Sequence, residues 1–237
     1  MSAAWTILRK ELPIYFVSPL AYAFLGVFLF LAGLFFYLGV ALTGEASLRV
    51  MLGNLAISML FVLPMLTMRH FAEEQRAGTF EMLMTAPIRL PALLLGKWLA
   101  SWILCLIMLA GTLIFPAILA YYGQPDWGVV ATSYLGLILC AGAFCAAGLF
   151  ASSLTDDQVA AGLAGIVLLL PFWLIGSAAK LIEDEQIREL MQQLALLPHL
   201  SSFTKGVIDT ADIAWFVGFT FIFLFLTYRT LESRRWR

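Results

Sequence analysis

Six stretches of the chain carry no charged residue: 12–44, 50–68, 98–125, 127–155, 158–179 and 213–228. A hydrocarbon core of about 30 Å takes about 20 helical residues at about 1.5 Å each. The first five stretches are long enough. The sixth is short, but Asp212 and Arg229 at its ends can sit at the interfaces and lengthen it. Leu, Ala and Phe occur on every face of these runs. A transmembrane β-barrel instead needs alternating segments of about ten residues, which are not seen. The pattern predicts an all-α integral membrane protein, a single domain over 1–237, with six transmembrane helices near 21–42, 50–68, 95–122, 129–152, 159–179 and 212–229.

Three segments outside the spans have a pattern of their own. Residues 5–17 mix apolar and charged positions just before the first span, which predicts an N-terminal helix lying in the membrane interface. Residues 183–197 place Ile187, Leu190, Met191, Leu194 and Leu197 at helical spacing, which predicts a short amphipathic helix between spans five and six. Residues 69–91 form the longest polar connection, with Glu73, Glu74, Arg76 and Glu81 among Phe71, Phe80, Met82, Leu83 and Met84. Gly78 bends or breaks any helix there, and Pro87 and Pro91 set the chain before span three.

Composition agrees with the pattern. The 237 residues are 62% hydrophobic and 12% charged, against about 45–50% and about 25% in soluble domains. With the N-terminus inside, Arg9, Lys10, Arg69, Arg76, Arg89, Lys97, Arg229, Arg234, Arg235 and Arg237 fall on the cytoplasmic side. Only Arg49, Lys180, Arg188 and Lys205 fall outside. That excess predicts cytoplasmic termini and an even number of spans. The first apolar run begins only after Glu11 and far exceeds the core of a leader peptide, so the first span is expected to direct insertion itself. No basic face with interleaved aromatics suggests nucleic acid. Cys105, Cys140 and Cys145 lie in apolar runs without metal or redox spacing and read as packing residues. His70 and His199 have no ligand cluster around them, so neither a metal nor a bound cofactor is expected.

Ala143, Ala147 and Ala151, at four-residue intervals, and Ala161 with Gly165 on the next span mark faces on which helix backbones approach closely. The connection Thr155-Asp156-Asp157-Gln158 fits a capping box, with Thr155 as cap and Gln158 reaching back. Pro64, Pro116 and Pro171 are candidate kink sites.

No span has an ionisable residue well inside it, and Lys97 is read as lying near an end. Ion-coupled transporters usually need buried ionisable groups, and an intramembrane hydrolase needs a nucleophile beside a base. Asp156 and Asp157 are adjacent in a turn, which suits helix-start electrostatics better than a catalytic pair. No phosphate-binding GxxxxGK[ST] loop is present. The chain is therefore read as a non-enzyme whose energy source lies in a partner. Physics alone leaves two readings of 69–91 open: a handle for another protein, or a helix resting on the headgroups.

The stretch Glu73-Glu74-Gln75-Arg76-Ala77-Gly78-Thr79-Phe80-Glu81, followed by Leu83, Thr85-Ala86-Pro87 and Gly96-Lys97, resembles the cytoplasmic loop of type-2 ABC exporter permeases. It is most similar to the gliding-motility-associated and copper-enzyme-maturation branch. Lys10-Glu11-Leu12 with Tyr15-Phe16 and Ser18-Pro19, Ser153-Leu154-Thr155 with Gln158, Pro198-His199 with Phe203, Gly206, Ile208 and Asp209, and Arg234-Arg235-Trp236 agree in order. Asp157 stands where that pattern has asparagine.

The resemblance implies a permease in a bacterial inner membrane that pairs with a second copy or a paralogue. Its loop between spans two and three would hold a coupling helix, docked on a separate ABC ATPase subunit that binds ATP and Mg. Carried over, Glu73, Glu74, Gln75, Arg76, Gly78, Thr79 and Glu81 would form or position that contact. Some relatives work with an extracytoplasmic accessory subunit, and their cargoes include polysaccharides, lipids, drugs and sulfur-containing species. The apolar spans suit a lipid or amphiphile better than an ion. The alternative is a membrane scaffold or sensor that anchors an ATPase without moving cargo, and reconstitution of chain plus ATPase in liposomes separates the two.

Overall fold

The computed structural model describes residues 3–43, 48–79, 89–123 and 125–235. Those residues form eleven α-helices and one 3-10 turn, with no strand. Helix α1 (Ala3–Val17) precedes the first span, α2 (Pro19–Thr43). Span two is α3 (Arg49–Thr67), continued after a turn at Met68 by α4 (Arg69–Arg76). Span three is α5 (Leu90–Gly111) and α6 (Ile114–Tyr122); span four is α7 (Trp127–Leu154); span five is α8 (Gln158–Ala178), closed by a 3-10 turn at Ala179–Leu181. Helices α9 (Glu185–Leu194) and α10 (Leu196–Thr204) lead to the last span, α11 (Thr210–Arg235). Six helices are long and apolar enough to cross a membrane, as the pattern of uncharged stretches predicts.

Helix α7 sits at the centre, packed against α3, α5, α8, α10 and α11. Its small residues allow this: Ala143, Ala147 and Ala151 are fully buried, as is Ala161 on α8, in the close-approach role their spacing suggests. On the facing side, Trp98 and Trp102 stack at 5.2 Å. Their indole N–H groups donate to the Gly142 and Ile138 carbonyls of α7 at 2.9 and 3.0 Å. The outer spans keep broad apolar faces exposed, α2 above all, with Phe30 and Tyr37 about two-thirds exposed; lipid is the solvent such faces require.

Two expected helices are each divided. Span three breaks at Thr112–Leu113, four residues ahead of Pro116. Proline offers no N–H to the Thr112 carbonyl and crowds it, and that carbonyl instead accepts from the Phe115 N–H at 3.1 Å. The segment 183–197 likewise splits at Ala195, which is extended. Pro198 is the reason: in one continuous helix its ring would meet the Leu194 carbonyl, whereas in the first turn of α10 its missing N–H costs nothing. Pro64 and Pro171 lie inside helices that run on without a break. Beside α10, His199 Nδ1 lies 2.6 Å from Asp212 Oδ1, and the Trp215 indole donates to the Gln193 carbonyl at 2.9 Å. These bonds tie α9, α10 and α11 together at the end of the bundle opposite α1.

Candidate functional site

A cluster of buried polar groups lies at the end of the bundle where α1, α4, the start of α5, the end of α7 and the end of α11 meet. Its centre is Lys97, two turns into α5 and 1% exposed. The ammonium donates to Glu74 Oε1 at 2.7 Å, to Glu11 Oε1 at 3.1 Å and to the His70 carbonyl at 3.1 Å. All three of its donors are thus used, and it stands 5.4 Å from the Phe71 ring centre. A buried ammonium is tolerable only with such compensation. The helix begins five residues earlier than expected, at Leu90, and Lys97 sits near that end of the span, where α1 and α4 meet it. Glu74 Oε2 is buried and has no partner among the described residues.

A second knot lies beside the first. His70 Nε2 is 2.6 Å from the Tyr15 hydroxyl and 2.5 Å from Ser101 Oγ, one turn beyond Lys97. Burial holds the Tyr15 phenol well above its ordinary pKa, against a smaller opposite effect of its Ser101 hydrogen bond, so it stays a neutral hydroxyl. Helix α1 reaches α5 because residue 96 is glycine. A Cβ there would lie 2.8 Å from Ile7 Cβ and 2.9 Å from the Ala4 carbonyl oxygen, closer than non-bonded atoms approach.

The joint between α3 and α4 is closed from α7. Ser152 Oγ donates to the Met68 carbonyl at 2.8 Å and accepts from the Phe71 and Ala72 N–H groups at 3.0 and 3.1 Å. One hydroxyl therefore satisfies two first-turn donors that Met68, with no capping side chain contact, leaves open. Arg69 donates to Ser18 Oγ at 2.7 Å and pairs with Glu73 at 3.0 Å. Gln75 donates to the Ser153 carbonyl at 3.5 Å and receives Arg234 of α11, which also donates to the Leu154 carbonyl at 3.0 Å.

Helix α4 is thus fastened along one side and open along the other. Glu74 and Gln75 point into the fastenings. Glu73, Arg76, Ala77, Gly78 and Thr79 are exposed. Gly78 has φ +69, the left-handed conformation that ends helices at little cost only in glycine. Of the sequence-predicted site residues, the structure therefore separates an outward set (Glu73, Arg76, Gly78, Thr79) from an inward set (Glu74, Gln75). Glu81 lies outside the described residues, as do Phe80 and Met82–Pro87.

The predicted capping box is corrected. The cap of α8 is Asp157, whose carboxylate accepts from Ala160 N at 2.9 Å. Thr155 is extended, two residues upstream, and its hydroxyl reaches only Asp157 N, at 3.2 Å. Gln158 is the first helical residue, not the third, so it cannot reach back. Aspartate and asparagine are both strong caps, which accounts for Asp157 where asparagine was expected.

Sequence reasoning did not join Lys97, Glu11, His70, Tyr15, Ser101, Ser152 and Arg234 to the site. The signal was a lone lysine in a long apolar helix, with carboxylates in two other polar segments to receive it.

Compared with known proteins, the chain has no match among curated sequences. A protein family described as ABC-2 family transporter protein matches residues 45–234, which takes in α4, its fastenings on α5, α7 and α11, and all the spans but the first. Six apolar helices of spanning length and that match together assign the molecule: it belongs to the ABC-2 transporter family, as a multi-pass membrane permease component of an ABC transporter.

Proposed function

We propose that the chain is the permease subunit of an ATP-driven exporter of a bacterial inner membrane, working as a pair of permeases, with α4 as the handle that a separate ATPase subunit grips. The observation that carries this reading is the two-sidedness of α4. Its inward side is bonded to α1, α5, α7 and α11, while Glu73, Arg76, Ala77, Gly78 and Thr79 are exposed. A helix merely resting on headgroups would have no use for that many fixings, whereas a helix that receives force must not slip. ATP and Mg would be held by the partner, and the motion of its nucleotide sites would reach the spans as rigid-body displacement. The exposed charges would set orientation and partner choice more than affinity. The residues of the gliding-motility and copper-maturation pattern, Glu73 to Thr79 with Gly96-Lys97, support that branch.

The test is charge reversal on the outward side alone. E73K/R76E should abolish co-purification of the ATPase while leaving membrane insertion and thermal stability near those of the parent. A complex that survives this double reversal overturns the assignment of α4. Glu74 is the wrong residue for the purpose, because a lysine there would face Lys97 and damage the fold.

A further inference from the structure

We infer that Lys97 is a positioning residue of the coupling machinery, the point at which α1 and α4 are made to move with span three as one body. This deepens the proposed function and rests on it. The inference starts from what one ammonium joins. Glu11 comes from α1, Glu74 and the His70 carbonyl from α4, and Lys97 itself from α5; these partners are 86, 23 and 27 residues away in sequence. Stability alone does not call for this arrangement. A buried ion pair is often no more stabilising than well-packed apolar residues of the same volume. What it does supply is a fixed geometry, since three directed bonds leave the ammonium one place to sit.

The surroundings make the joint rigid. The second knot, Tyr15–His70–Ser101, repeats the same three-way connection one turn further along α5. Helix α1 is held against α5 at Gly96, so it has no room to slide. By contrast, the α5 helix is interrupted beyond this region, at Thr112–Leu113. A push on the outward side of α4 would therefore enter the membrane through α5 and α1 together. Without Lys97 only the Tyr15–His70–Ser101 knot would still join α4 to both α1 and α5, and much of the push would be spent in α4 turning about the Ser152 joint.

The test uses the full permease–ATPase complex in liposomes, with nitroxide labels at the far ends of spans three and five. Tyr121→Cys and Leu181→Cys are suitable, being 84% and 86% exposed, while the three native thiols are buried. The readout is the change in label-to-label distance on trapping with Mg-ADP-vanadate. With Lys97 present the distance should shift. K97M should keep ATPase co-purification and vanadate trapping but lose most of the shift. E11K/K97E, which returns a cation between two carboxylates from the α1 side, should recover it. A full shift in K97M overturns the inference, and so does loss of ATPase co-purification in K97M, which would make the lysine structural. Absence of any shift with Lys97 intact is a different failure, that of the ATP-driven reading itself.

Discussion

Asp157 and Gly96 each owe their role to the reach of a few atoms. A side-chain oxygen caps a helix only from the residue just before its first turn, and Asp157 holds that place. D157A should lower stability by about 1 kcal/mol, the usual cost of a lost cap, while T155A should cost less; thermal unfolding in one detergent compares them. The sequence contains both candidates within three residues, and only the point where helical backbone begins, at Gln158, decides between them. G96A sets a methyl group against Ile7 and the Ala4 carbonyl, so α1 must shift or α5 must bend. Overpacking of this kind costs about 1–3 kcal/mol, and limited proteolysis should find α1 released. Glycine 96 was visible as part of a motif, but the neighbour that requires it lies some ninety residues away and is not.

Between elements, bonds that close a helix end from another span carry the most consequence. Ser152 stands for the rest: S152A would leave the Phe71 and Ala72 N–H groups and the Met68 carbonyl without their partner. Loss of such a partner costs about 1–3 kcal/mol. Hydrogen exchange at Phe71 and Ala72 should rise well before the exchange of α7 itself changes. Spans were legible in the sequence because charge is excluded from lipid, and each uncharged run maps onto a helix of the structure. Breaks inside elements were less legible. Pro116 and Pro198 divide their segments, whereas Pro64 and Pro171 do not. The difference lies in where the next helix finds its bonds, which is a property of the packed neighbours. The amphipathic pattern of 69–91 likewise revealed a helix but not which of its charges turn inward, because that depends on a lysine of another span.

Taken whole, the molecule sets Lys97 with Glu11 and Glu74 at one end and the His199–Asp212 pair, with the helices around it, at the other. If the excess of lysine and arginine sets orientation as proposed, the α4 end faces the cytoplasm. Thr79→Cys should then react with a membrane-impermeant maleimide in inverted vesicles and not in intact spheroplasts, with Tyr121→Cys showing the reverse. The first span adds a separate consequence. Helix α2 shares little surface with the other spans and turns Tyr22, Val27, Phe30 and Tyr37 outward. Removed from the bilayer, that helix would depend on whatever amphiphile replaces it. Resistance to heat after extraction should therefore track the chain length of the detergent, and a micelle too thin for α2 should let it peel from a bundle that otherwise remains folded.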